Sequence, residues 1–122
     1  MEQSGSHYER GLSALKSEDF DTAIAELEAA SLENSGDYRV FNCLGAAYAS
    51  KGRYEKAIGA FKTAEQIAPG VARIHYNIAQ AYEAVGILTE AEYEYEKAIS
   101  LDPSYTKAKE ALLDLKNRLH HV

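Results

Sequence analysis

The chain has 122 residues, long enough for one core and too short for two ordinary ones. Apolar residues at 46% and charged residues at 26% place it among folded chains rather than disordered ones. Thirteen Lys plus Arg against 19 Asp plus Glu give a net charge of −6, which argues against non-specific nucleic-acid binding; the lone Cys43 excludes a disulfide framework and a Cys-based zinc site.

Helical periodicity runs through the whole chain. A first helix is expected over 5–17, opened by Ser6 and Glu9 at capping-box spacing. A second, 21–34, carries Ala23, Leu27 and Ala30 on one stripe. A third, 38–51, places Phe41, Leu44, Gly45 and Tyr48 on one face, and Lys51-Gly52-Arg53 breaks it. A fourth, 55–67, carries Ala57, Ile58, Phe61 and Ala64 until Ala68-Pro69-Gly70 ends it. A fifth, 72–85, has His75, Ile78, Ala79 and Tyr82; a sixth, 89–101, starts with Thr89 and Glu92 at capping-box spacing. A seventh, 105–119, shares Ala108, Ala111, Leu112, Leu115 and Leu119 on one face, with Lys107, Glu110, Asp114, Asn117 and Arg118 away from it.

These helices repeat. A shift of 34 residues superposes Gly11, Gly45 and Ala79; Ala23, Ala57 and Ala91; Leu27, Phe61 and Tyr95; and Ala30, Ala64 and Ala98. Pro69 falls on Pro103, Tyr48 on Tyr82 and Gly52 on Gly86. The small residues have a steric purpose, since paired helices approach closely only where a side chain is missing. Gly45 and Ala57 are the expected contact pair, with Phe61 and Tyr48 beside them.

The pattern resembles the tetratricopeptide repeat family. The middle copy matches its motif throughout, with Phe41, Leu44-Gly45, Tyr48, Ala57, Phe61, Ala64 and Pro69. The third copy matches with His75, Ile78-Ala79, Tyr82, Ala91, Tyr95, Ala98 and Pro103. The first is degenerate at its front, where His7 and Arg10 replace large apolar residues, and recovers at Gly11, Ala23, Leu27 and Ala30. The resemblance implies an all-α fold, a right-handed α-solenoid of antiparallel helix pairs with seven helices. The resemblance covers 4–105; the domain it implies is 1–122, with repeats at about 4–37, 38–71 and 72–105 and a capping helix at about 105–119. That last helix covers the apolar side a solenoid would otherwise leave open.

In this family the first helix of each repeat lines a concave groove. Carried over position by position, the lining is Tyr8, Leu12, Leu15 and Lys16, then Arg39, Asn42, Ala46, Ala49 and Ser50. The third repeat adds Arg73, Tyr76, Asn77, Gln80 and Glu83, and the closing helix Lys107, Glu110, Asp114 and Arg118. Arg39, Arg73 and Lys107 recur every 34 residues and form a cationic row suited to an acidic peptide. Asn42 and Asn77 offer amide hydrogen bonds, and Tyr8 and Tyr76 aromatic area. The family's best-known ligands are chaperone C-terminal tails, held by a Lys and an Asn, then an Asn, then a Lys and an Arg. The matching places here hold Tyr8 and Leu12, then Cys43, then Arg73 and Asn77, so only Arg73 fits and a two-carboxylate clamp is rejected. A frame one repeat later brings Asn42, Asn77 and Lys107 near the pattern but lacks its leading Lys and closing Arg.

Nothing in the sequence assembles an active site: there is no phosphate loop and no nucleophile elbow. His75 reads as a packed interior histidine, Cys43 as a half-buried small residue, and His120-His121 as a solvated tail. Glu90, Glu92, Glu94 and Glu96 read as a solvated convex surface. The expected function is a non-catalytic interaction module, a scaffold or co-chaperone-like adaptor, binding a peptide or helix of another protein. The alternative is self-assembly into a homodimer or larger stack through Leu12, Leu15 and Leu113. No cofactor, metal, nucleic acid or membrane is expected. The opening Met1-Glu2-Gln3-Ser4-Gly5-Ser6-His7 does not read as a secretory signal, so a cytoplasmic location is the default.

Overall fold

A computed structural model describes residues 5–120. Among these it contains seven helices and no strand: α1 (His7–Lys16), α2 (Phe20–Glu33), α3 (Tyr38–Ser50), α4 (Tyr54–Ile67), α5 (Ala72–Ala84), α6 (Leu88–Leu101) and α7 (Thr106–Leu119). α1/α2, α3/α4 and α5/α6 pair as hairpins, α2 packs on α3 and α4 on α5, and α7 closes against α6. The first helices of successive pairs also touch, α1 with α3 and α3 with α5, so they form one side of the α-solenoid.

The hairpin turns explain where the helices stop. Asp19, Arg53 and Ile87 each return an N–H to the carbonyl of Ala14, Tyr48 and Tyr82, at 2.8, 2.9 and 2.9 Å. Closing that loop requires a left-handed residue one place earlier. Gly52 and Gly86 supply it with φ of 76° and 84°, and Glu18 stands at the same place with φ of 60°. The turn also overrides the capping box expected at Thr89 and Glu92. α6 starts at Leu88 behind Ile87, which makes no side-chain cap, and Thr89 lies inside the first turn. The box at α1 forms as expected: Ser6 Oγ accepts from the Glu9 N–H at 3.1 Å, and Glu9 Oε1 accepts from the Ser6 N–H at 2.9 Å. That helix begins two residues later than the expected 5, because Gly5 has φ of 87° and lies outside helical space.

The close approach inside the middle hairpin is made by a different pair than expected, and the first hairpin follows it. A methyl placed on Gly45 would meet the Phe61 ring at 2.5 Å, and one on Gly11 would meet Leu27 at 2.6 Å. The missing side chain is thus filled by the large residue of the second helix, not by Ala57, which is itself fully buried. The core runs in two clusters. One joins α1 to α5 through Leu27, Leu44, Phe61, Ile74 and Ile78; the other joins Ala79, Ala91 and Tyr95 to Leu115 of α7. Leu115 and Ala108 are fully buried, so α7 does cover the last hairpin. Burying a leucine completely contributes about 1.5–3 kcal/mol.

One acidic residue corrects the sequence reading. Glu94 is buried rather than solvated, and its Oε1 accepts from His75 Nδ1 at 2.8 Å. His75 is 1% exposed, with Glu65 Oε2 of α4 at 3.9 Å and the Pro69 carbonyl 3.3 Å from Nε2. The chain therefore keeps a buried carboxylate because a buried imidazole needs an acceptor. The remaining glutamates of the alternating run, Glu90, Glu92 and Glu96, are exposed or half-buried.

Candidate functional site

Successive first helices leave a hollow between α3 and α5. Its first part is a cleft of about 770 Å³. Asn42, Cys43 and Ala46 of α3 form one wall, and Ala72, Arg73, Tyr76 and Asn77 of α5 the other. Leu15 of α1 closes one end, and Asp102, Tyr105 and Lys107 the opposite end. A second hollow of about 400 Å³ shares Ala46 and Asn77 with the first and continues along Ala49, Ser50, Gln80, Ala81 and Ala84, with Tyr54 and Phe61 of α4 at its base.

Six of the nine principal residues expected in the groove are brought together here: Asn42, Arg73, Tyr76, Asn77, Gln80 and Lys107. Tyr8, Leu12 and Arg39 line neither hollow. Tyr8 packs partly against the core with the Arg39 guanidinium 5.5 Å above its ring. Arg39 itself donates from Nε and an Nη to the two carboxylate oxygens of Asp37, at 3.0 and 2.9 Å. Those bonds hold the Asp37 carboxyl below its usual value and neutralise the first member of the cationic row. Arg73 and Lys107 have no ion-pair partner among the described residues. Arg118 of α7 pairs with Glu83 of α5 and with Asp114 of its own helix, its Nε lying 3.3 Å from the latter. Of the leucines read as a self-association surface, Leu12 and Leu15 are half-buried and Leu113 is 62% exposed.

The polar side chains of the hollow are partly engaged with one another. Asn77 Nδ2 donates to Asn42 Oδ1 at 2.9 Å, and Gln80 Nε2 donates to the Tyr76 hydroxyl at 2.9 Å. Tyr76 packs its ring on Tyr105 with centroids 5.2 Å apart and on Tyr95 at 5.9 Å. Burial pushes the Tyr105 hydroxyl up, opposed by the nearby Arg73 guanidinium. Burial also pushes the Cys43 thiol up, so it rests as a thiol rather than a nucleophilic thiolate.

Sequence reasoning missed Tyr105 and Asp102 as wall residues, because they precede α7 rather than lie on a first helix. Their nearness to Lys107 was the available signal. Cys43 was placed as half-buried, as observed, but not as a wall of the cleft. Among the described residues no cluster of three His, Cys, Asp or Glu is placed to hold a metal. His120 is exposed, and His121 lies outside the described residues. No helix among them is long and apolar enough to cross a membrane.

Comparison with known proteins agrees with this architecture. Tetratricopeptide repeat family models match residues 8–72 and 72–105. The chain is 30% identical over 103 residues to Superkiller complex protein 3 of Mus musculus, covering 84% of this chain and 7% of that protein. It is 37% identical over 81 residues to the peroxisomal targeting signal receptor of Saccharomyces cerevisiae, covering 66% of this chain and 13% of the receptor. It thus spans only a small part of the relatives it matches. Among solved structures, the first TPR of Spaghetti (RPAP3) bound to the HSP90 peptide SRMEEVD superposes with a TM-score of 0.90 at 19% identity, covering 93% of this chain and 90% of that one. Three helix hairpins in one register, a covering helix and family matches across both halves lead to one conclusion: this chain belongs to the tetratricopeptide repeat family.

Proposed function

We propose that the chain is a non-catalytic interaction module, a scaffold or co-chaperone-like adaptor working in the cytoplasm. It holds a peptide or helix of another protein in the hollow between α3 and α5. The observation that carries this reading is the open, continuous hollow in which two cations, Arg73 and Lys107, outnumber the one carboxylate, Asp102, whose Oδ1 accepts from Ser104 and which lies within ion-pair range of neither. On a chain of net charge −6, a local positive site favours an acidic segment of the partner. Desolvated contact with Tyr76, Ala46 and Ala49 supplies the affinity, and the cations set orientation. Two relatives support the reading in kind: one solved neighbour is described as bound to an acidic HSP90 peptide, and one curated relative is named a targeting-signal receptor.

The test is quantitative affinity capture with mass spectrometry, comparing the unaltered chain with Arg73→Glu/Lys107→Glu and with Arg39→Glu. The double variant is expected to lose specific capture by about tenfold or more at unchanged helicity, as reversal of two docking charges implies. Arg39→Glu has a smaller effect, because Asp37 already occupies that guanidinium. Equal capture by all three proteins overturns the assignment of the groove.

A further inference from the structure

Resting on that reading of the groove, we propose that its occupant is an amphipathic α-helix of the partner. The helix lies antiparallel to α3 and α5, with an acidic C-terminal turn against Arg73 and Lys107.

The direction of the hollow is the first reason. Its walls step along α3 from Asn42 through Ala46 to Ser50, and along α5 from Arg73 through Asn77 to Ala84. These are helical steps of three or four residues, so the trough follows the two helices lengthwise. α3 and α5 run the same way, because α4 returns antiparallel between them. The 13 residues of α5 rise about 20 Å, the length of a docked helix of three to four turns. Ala46, Ala49, Ala81 and Ala84 along the trough leave room for a row of bulky side chains between two ridges.

Hydrogen bonding is the second reason. An extended strand laid in the trough brings its own N–H and C=O groups with it, and these need partners. Asn77 and Asn42 bond each other and Gln80 bonds Tyr76, so the trough offers a strand only the remaining amide groups of three side chains, against two main-chain groups for every residue of the strand. No strand edge exists among the described residues to complete the pairing. A helix satisfies its own main chain and asks the trough only for shape.

Charge fixes the orientation. α5 and α7 both start with no side-chain cap and no acidic residue in the first turn, and each carries a cation there, Arg73 or Lys107. Cations are unfavourable at a helix N-terminus, where the dipole is already positive. Both helix starts lie at the same end of the trough as the cleft they line. The C-terminus of a docked helix carries the opposite partial charge, and acidic side chains in its last turn neutralise both cations.

A random library of peptides about 16 residues long, panned on the full chain, tests this. Counter-selection uses Ser50→Arg/Ala84→Arg, a variant that blocks the trough at two exposed positions and leaves the core untouched. Enriched peptides are expected to carry apolar residues at i, i+3 or i+4, and i+7, with acidic residues in the last turn, and to gain helical circular dichroism on binding. A proline placed mid-peptide is expected to weaken binding by roughly 100-fold. Moving the acidic residues to the first turn is expected to weaken it by about tenfold, and Arg73→Glu/Lys107→Glu removes that preference. Peptides that are blocked by the variant yet tolerate proline, or alternate with period two, overturn the helix and leave the groove standing. Absence of enrichment, or enrichment indifferent to Ser50→Arg/Ala84→Arg, overturns the groove itself.

Discussion

The outer repeats and the middle repeat solve one packing problem in two ways. His7 and Glu26 in the first repeat, and His75 and Glu94 in the third, stand where the middle repeat has Phe41 and Ala60. Both polar pairs close between the two helices of a hairpin, at 2.7 and 2.8 Å. Phe41 and Ala60 instead join the apolar core. The backbone is the same, so the slot accepts either chemistry provided both halves are present. Burial separates the two polar pairs. His75 is 1% exposed, beneath α4 and its Glu65, whereas the His7 side chain is 36% exposed. Arg10 also shares Glu26 at 3.2 Å, and the His7 bond holds the Glu26 carboxyl below its usual value. The lesson is that a polar pair at this place is optional where water reaches it and obligatory in both members where it does not.

The largest expected effect breaks the third-repeat pair. Glu94→Ala leaves the buried His75 Nδ1 without its partner, which costs about 1–3 kcal/mol, and adds the cost of the void where the side chain stood. His75→Phe together with Glu94→Ala installs the middle repeat's solution, and the double variant is expected to lie within about 1–2 kcal/mol of the unaltered chain. Urea denaturation of the two single variants and the double variant gives the coupling directly. Additive losses would show that the two side chains do not share one slot in solution. The matching change in the first repeat, Glu26→Ala, is expected to have the smaller effect because solvent reaches His7.

Much of this was legible in the sequence, and the reasons differ by residue. The hairpins were readable because Gly11, Gly45, Ala79 and their partners recur at one spacing, and a steric requirement leaves a strong mark on composition. Helix limits followed to within two residues for the same reason. His75 was readable as interior from its repeat position, yet Glu94 was not. A carboxylate in the run Glu90-Ala91-Glu92-Tyr93-Glu94-Tyr95-Glu96 looks solvated, and only the partner 19 residues earlier shows otherwise. In the groove, Arg73 and Lys107 were readable as a cationic pair by their spacing. The neutralisation of Arg39 was harder to see, since it depends on Asp37 serving both as helix cap and as ion-pair partner. Periodicity reports which face a residue occupies; it does not report what that residue meets there.

The tight contact inside the hairpins separates the middle and third repeats again. Gly45 sits against Phe61 with no room for a methyl, whereas the third repeat already carries one as Ala79, packed in one cluster with Tyr95. Gly45→Ala is therefore expected to cost about 1–3 kcal/mol through overpacking, despite the better helix propensity of alanine. Ala79→Gly is expected to lose about 1 kcal/mol, from backbone entropy and a small void. A fall in denaturation midpoint at constant slope measures both. A neutral Gly45→Ala would mean that the Phe61 ring shifts without loss, and that the middle hairpin is no tighter than the third.

The smallest expected effect is a gain, and it comes from the first repeat. Glu18, Gly52 and Gly86 occupy the same turn position, and all three adopt positive φ. A methyl on Gly52 or Gly86 meets nothing within 4 Å, so glycine stands there for its backbone and not for space. Glu18 bears the left-handed strain of roughly 1–2 kcal/mol that its two counterparts avoid. Glu18→Gly relieves this strain, while the freer unfolded chain takes back about 0.4–1 kcal/mol. The net is an expected stabilisation of about 0.5–1 kcal/mol, or a rise of a few degrees in Tm. Gly52→Glu runs the same comparison in reverse and is expected to destabilise by a similar amount. Thermal melts of the two variants should move in opposite directions; if both fall, then Glu18 is held by interactions that outweigh its backbone strain, and the first turn differs from the other two in more than one residue.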